Sequence, residues 1–415
     1  MASVLSSPIG RMPTEPENAQ PSTGPAVTGV GRRRALLAAG GVLAAGIGAA
    51  AGELAGGDRT SGHRGATGGP PPEAAVPFHG ARQAGVTSPQ PAATQLIAFD
   101  LPQTSAAADR EALRALLDAL TRTLSSAASD APADPRLQGG GTTRLTSLVG
   151  VGPALATRLG LNVPARLEDL PPFPGDRLDP ARGGGDLLLQ VCAADHWTLA
   201  VVAELAGSAA RATGAAPRWS QSGFLPPTAP GTTPRNLFGF KDGTANPDDA
   251  AARQWVWGPP GPHENGTVLV YRRIRMDTAA FAALPEDRKN LAMGRRIGDG
   301  APLTGTAEHD EPDIYTKNPD GSYVIPATAH VRLTSPRLDG GARMLRRGYS
   351  YDDGPADRGL LFCAFVRDPA QFSRVQSRLA ARDALNPHLE HTASAVAYVL
   401  PGAREGGTLG EVLWA

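Results

Sequence analysis

The sequence predicts an α+β fold made of two similar halves. Apolar strand-like runs alternate with only two long helical patterns per half, too few for a doubly wound parallel sheet, where nearly every strand is followed by a helix. GGGDLLLQVCAADHW (183–197) and ADRGLLFCAFVRDPAQ (356–371) share one plan: glycine, buried strand, acid, helix. Such self-similarity marks an internal duplication. The 415-residue chain is long enough to supply both halves with a core.

The first 55 residues read as a leader. Residues 1–30 are rich in Pro, Thr, Gly and Ser and cannot bury enough apolar surface to offset ordering. Arg32, Arg33 and Arg34 then precede an uncharged Ala/Gly-rich run at 35–52, the basic and apolar regions of a targeting segment. The run is short and glycine-rich for a membrane span, and with two leucines after the arginines it resembles a twin-arginine export signal. An uncleaved signal anchor is the alternative. Residues 56–77 form a flexible linker by composition.

The first half spans 78–235. A buried strand is expected at 94–99, then a helix at 106–124 with Asp109 and Glu111 near its positive end. Strands follow at 145–151 and 187–193, and a second helix at 197–213 has Gly214 as its cap. The Gly/Pro-rich stretch 217–234 closes this half as a loop. In the second half, 236–415, strands are expected at 268–276, 331–333, 360–366 and 396–400, with helical stretches opening at 281–284 and running through 372–385.

Acidic and basic side chains balance at 40 each, so charge gives no reason to expect a nucleic-acid partner. Cys192 and Cys363 sit in apolar runs as small buried hydrophobes, without CxxC or metal-ligand spacing. His196, His263, His309, His388 and His391 are scattered and form no zinc or non-haem iron motif.

Three stretches carry chemistry: FGFKDGTANP (238–247), TAHVRLTSP (328–336) and MLRRGYSYD (344–352). Taken alone, the first is ordinary turn chemistry, in which Asp and Asn bond their own backbone and Gly accepts positive φ. Matched as a whole decapeptide, and together with the other two, it resembles the signature of the dye-decolorising peroxidase family, in its exported bacterial branch.

That resemblance implies two ferredoxin-like halves of the dimeric α+β barrel type, whose antiparallel sheets carry haem. The absence of CxxCH argues against covalent attachment, so haem b, non-covalently bound, is expected. His330 corresponds to the family's iron ligand, although a histidine at a strand start also has a purely structural reading. Arg332, two residues on and on the same face of a regular strand, would pair with a propionate or face solvent. Arg346 resembles the distal arginine, and alternation points Arg347 the other way. Asp242 would move the peroxide proton. Leu360 and Phe362 resemble the apolar lining of the distal pocket, and are equally good as plain core. Glu390 is the candidate acid partner of His330, or else a surface charge.

The resemblance further implies hydrogen peroxide as oxidant, broad aromatic electron donors, the twin-arginine machinery as export partner, and room for a homo-oligomer. Donors too large for the pocket would be oxidised through a surface Trp or Tyr, with Trp255, Trp257, Tyr349, Tyr351 and Trp414 as candidates. The FHGARQAGV stretch is similar to the family's FHGxHQAG opening, but Arg82 replaces the second histidine, which leaves His79 a structural or rim role. The alternative reading is an exported protein that releases iron from haem, as the family's deferrochelatases are named for doing; a cofactor-free exported protein is more remote.

Overall fold

The strands of both halves join one closed sheet. The computed structural model describes residues 75–139, 144–229 and 231–415, so the leader, the export signal and most of the linker lie outside the described residues. In chain order the elements are β1 (Ala93–Asp100), α1 (Ala106–Ala127), β2 (Thr146–Val151), α2 (Pro153–Leu159), β3 (Leu187–Ala193), α3 (His196–Ala212), β4 (Ala216–Phe224), α4 (Asp249–Trp255), β5 (Thr267–Met276), α5 (Thr278–Ala282), α6 (Glu286–Met293), α7 (His330–Leu333), β6 (Leu345–Arg346), β7 (Tyr349–Asp352), β8 (Arg358–Val366), α8 (Pro369–Arg382) and β9 (Leu389–Val399).

Neighbouring strands run in the order β5-β9-β2-β3-β1-β4-β7-β8, and β8 pairs back onto β5. All of these pairings are antiparallel. An eight-stranded ring follows, and closure leaves no long edge to recruit another chain. The short β6 pairs farther along β8, with Arg346 opposite Ala364.

Alternation sorts the side chains. Leu96 and Ala98 of β1 pack with Leu148, Leu188, Tyr271, Leu361 and Cys363 inside the ring. Ile97 and Phe99 face outward, with Leu189 and Val191, onto the buried Leu113, Leu116, Leu117 and Leu120 of α1. Those leucines recur at three- and four-residue spacing, one face of a helix, and each such burial is worth about 1.5–3 kcal/mol. Ser105 caps α1 by accepting from Ala108 N, and Asp195 caps α3 by accepting from Thr198 N. Two smaller cores lie outside the second-half strands, one around Val270, Val366 and Phe372, the other around Phe238, Phe240, Phe281 and Leu385.

The α+β expectation and the long elements are met, with two corrections. Residues 216–224, expected as loop, form β4, because the buried alternate positions are Trp219, Gln221 and Gly223 rather than aliphatics. Residues 331–333, expected as strand, belong to the one-turn helix α7, closed by Leu333 N to Ala329 O and Thr334 N to His330 O. His330 and Arg332 therefore do not share a strand face. The structure also adds α2, α4, α6, β6 and β7, and lengthens the last strand to eleven residues.

Candidate active site

His330 opens α7, and the chain holds that turn from two sides. Ala384 N, just past the end of α8, donates to Thr328 O, which pins the segment ahead of the histidine. Gly294 sits at φ 87°, and a Cβ there would come within 2.4 Å of Val331 Cγ2. Only glycine permits so close an approach at positive φ.

The imidazole Nδ1 of His330 lies 2.6 Å from Asp383 Oδ2. Asp383 is buried, and its other oxygen accepts from Leu385 N at 2.9 Å, so the carboxylate cannot swing away freely. Burial alone would lower the His330 pKa. The charge and hydrogen bond of Asp383 outweigh it and raise the group above its ordinary value; Arg346 opposes that rise and Asp242 adds to it. A third of the His330 side chain remains open. With Nδ1 engaged, Nε2 is the nitrogen left to bind a metal.

The acid partner is thus a correction to the sequence reading. Glu390 does not reach His330; it bonds Arg275 at 3.0 Å and faces Arg177 at 3.5 Å. Glu390 lies within β9 and pairs with arginines there, whereas Asp383 caps the helix that packs beside α7. Nothing in ARDALNPH distinguishes Asp383 from an ordinary helix-end residue.

Asp242, Arg346 and Leu360 line one cleft, together with Gly243, Gln90 and Tyr349. The 238–247 segment reaches it as a tight loop, with Gly239 at φ 87°, Gly243 at φ 108°, and Asp242 N bonded to Pro234 O. Asn246 clamps the backbone of Arg346 on both sides, donating to its carbonyl at 2.8 Å and accepting from its N–H at 2.9 Å. Lys241 and Thr244 both bond Glu308. Among the described residues, the side chains of Asp242 and Arg346 make no hydrogen bond or ion pair.

The remaining expected residues divide. Phe362 faces α8, its ring 5.7 Å from Phe372, and belongs to the core there. Arg332 stacks its guanidinium 3.8 Å over Tyr323 and bonds Ile314 O. Tyr349, Tyr351 and Trp257 are buried, so of the donor candidates only Trp255 and Trp414 reach solvent. The exposed Trp197 and Tyr315 were not anticipated. Arg82 lies 4.2 Å over Trp257 and bonds Asn265, while His79 is not among the residues lining the cleft. The described residues contain no cluster of three or more metal-ligating side chains, so a metal here would arrive with its own ligand frame. An iron porphyrin fits that donor set: one free imidazole nitrogen, an apolar surround of Val331, Ile297 and Leu360, and two unpaired charges near enough to act on the imidazole.

A closed antiparallel α+β barrel with an aspartate-backed histidine near an unpaired Asp/Arg couple is the architecture of a haem peroxidase. The C-terminal model of the Dyp-type peroxidase family matches residues 233–404, and the N-terminal model matches 83–225. The dye-decolorizing peroxidase of Thermobifida fusca is 39% identical over 362 residues, 80% of this chain and 84% of that protein. The deferrochelatase of Escherichia coli K12 is 35% identical over 367 residues, 79% and 84%. Ferrous-oxygen DtpA of Streptomyces lividans superposes with TM-score 0.77 at 36% identity, over 82% of this chain and 98% of that one. A DyP-type peroxidase of Cellulomonas bogoriensis gives 0.76 at 39%, over 83% and 99%. The chain belongs to the Dyp-type peroxidase family, and it is a haem-dependent enzyme.

Proposed function

We propose that this chain holds haem b without covalent attachment and reduces hydrogen peroxide at the expense of broad aromatic donors such as phenols and dyes. The observation that carries the reading is the His330–Asp383 pair set near the unpaired Asp242 and Arg346. When bound, haem supplies the iron at which the peroxide O–O bond is cleaved. His330 Nε2 would hold that iron, and Asp383 would keep the imidazole electron-rich by accepting at Nδ1. Asp242 takes the proton from one peroxide oxygen and returns it to the other, so that water leaves. Arg346 cannot deprotonate and offers fixed donors to the charge on the departing oxygen. Asn246 keeps Arg346 in place through its backbone. Two donor molecules each give one electron and one proton, and a second water forms.

Arg332, stacked on Tyr323, is retained as the candidate for a propionate, and Leu360 as the apolar flank. The twin-arginine pattern at 32–37 supports export of the folded, haem-loaded protein to the cell envelope or beyond. A second reading, release of iron from haem with the ring intact, draws on relatives named deferrochelatase at 35–37% identity. Purified protein should show the Soret band of histidine-ligated ferric haem, and His330→Ala should lose it. An unchanged spectrum would overturn the ligand assignment. Recovery of iron-free porphyrin after incubation with haem would favour the second reading.

A further inference from the structure

The ring of strands encloses a cation with no anion. Arg347 follows β6 directly, and its backbone N–H bonds Cys363 O. The residue is 5% exposed; one terminal nitrogen bonds Ser88 O, while the buried Nε and Nη2 have no partner among the described residues. Leaving two donors of a buried charge unsatisfied costs several kcal/mol, so something should occupy the fork.

The surroundings are polar yet uncharged. Thr94, Cys192 and Thr146 stand in register across β1, β3 and β2, and Gln190 lies two residues along β3 on the same face. Thr146 Oγ1, Gln190 Oε1 and the hydroxyl of Tyr349 are buried without a partner. Burial and the neighbouring Cys192 thiol push the Tyr349 hydroxyl well up, with Arg347 pulling against them; burial likewise raises the Cys363 thiol, which also feels Arg347. Both groups are therefore neutral at physiological pH and cannot balance the guanidinium. No carboxylate pairs with it among the described residues.

We infer that the barrel interior binds one small monovalent anion of the halide class, held by Nε and Nη2 of Arg347 beside the Tyr349 hydroxyl. One cation calls for one negative charge. The crowding calls for a compact ion: a Cβ added at Gly223, on the same inner face, would meet Leu361 at 2.7 Å and Tyr349 at 2.9 Å. Tyr349 also lines the cleft of Asp242 and Arg346, so the ion sits behind that cleft and offsets the field of two successive arginines.

The test uses the haem-loaded protein at pH 7 in gluconate at constant ionic strength, with chloride replacing gluconate stepwise. Chloride at about 100 times its dissociation constant multiplies the folded-to-unfolded ratio about 100-fold, so Tm rises by several degrees while the Soret band stays still. Arg347→Met should abolish the chloride dependence. Crystals grown in bromide should show an anomalous peak within hydrogen-bond distance of Arg347. A Tm indifferent to chloride, a chloride effect that moves the Soret band and survives Arg347→Met, or bromide crystals with water alone at the fork would each overturn the inference. Should Arg347→Met fail to fold, the bromide map of the unaltered protein decides the matter.

Discussion

Replacing Asp383 by Asn separates two accounts of what backs His330. The substitution is isosteric, so the Asn oxygen can still accept from Leu385 N, and the cap of α8 survives. What disappears is the negative charge 2.6 Å from Nδ1. Hydrogen bonds to an ionised acceptor are about twice as strong as neutral ones, and removing such an outer partner of a metal ligand typically costs 10–100-fold in affinity or activity. That range corresponds to about 1.4–2.7 kcal/mol. Asp383→Asn should therefore fold normally, as judged by circular dichroism, and lose about 10–100-fold in haem affinity or in the rate of its absorbance change on mixing with peroxide. Glu390→Gln should match the parent in both assays, since Glu390 serves surface arginines. Parental behaviour of Asp383→Asn, with loss in Glu390→Gln, would refute the geometry argued above.

Asp242→Ala and Arg346→Leu should retain haem but slow the stopped-flow reaction with peroxide by about 10²–10⁴-fold, the usual worth of acid–base assistance; parental rates in both would reassign the proton. Asn246→Ala removes two bonds to the Arg346 backbone and should cost about 1–3 kcal/mol in urea unfolding, with a slower peroxide reaction and an unchanged haem content. His391 is held at about 4 by burial and by Arg272. Its folded pKa lies below the ordinary value near 6.5, so the unfolded chain takes up the proton first as pH falls. Stability from this group is full above about 6.5 and is lost towards pH 4, by up to about 3 kcal/mol. Thermal unfolding of the parent against His391→Gln between pH 7 and 4 checks it: the variant should have the flatter slope.

The long elements were legible because their physics is local. The leucine spacing of α1 and the apolar runs of β3, β5 and β8 all speak within a few residues. β4 was hidden because its inward set is Trp, Gln and Gly, which no hydrophobic alternation reveals. α7 was misread for a related reason: four residues with Val and Leu satisfy a strand pattern, and only the bonds to Ala329 and His330 carbonyls decide for helix. Asp383 could not have been chosen over Glu390 from spacing, since the partnership joins positions 53 residues apart through the packing of α8 beside α7.

The 238–247 segment shows why a short motif can be so informative. Its residues answer to different neighbours. Phe238 and Phe240 pack on Phe281, with Phe238 stacked at 4.0 Å. Gly239 and Gly243 take positive φ on either side of Lys241 and Asp242. Lys241 and Thr244 converge on Glu308, where burial would raise the carboxyl but their hydrogen bonds, with that of Thr233, hold it below its usual range. Asn246 grips Arg346. Asp242 alone is left without a structural bond from its side chain, surrounded by residues whose every task is to place it. A turn needs only one or two of these restraints; a carboxylate kept unpaired in a fixed position beside a guanidinium needs them all, and that asymmetry makes the decapeptide a site rather than a bend.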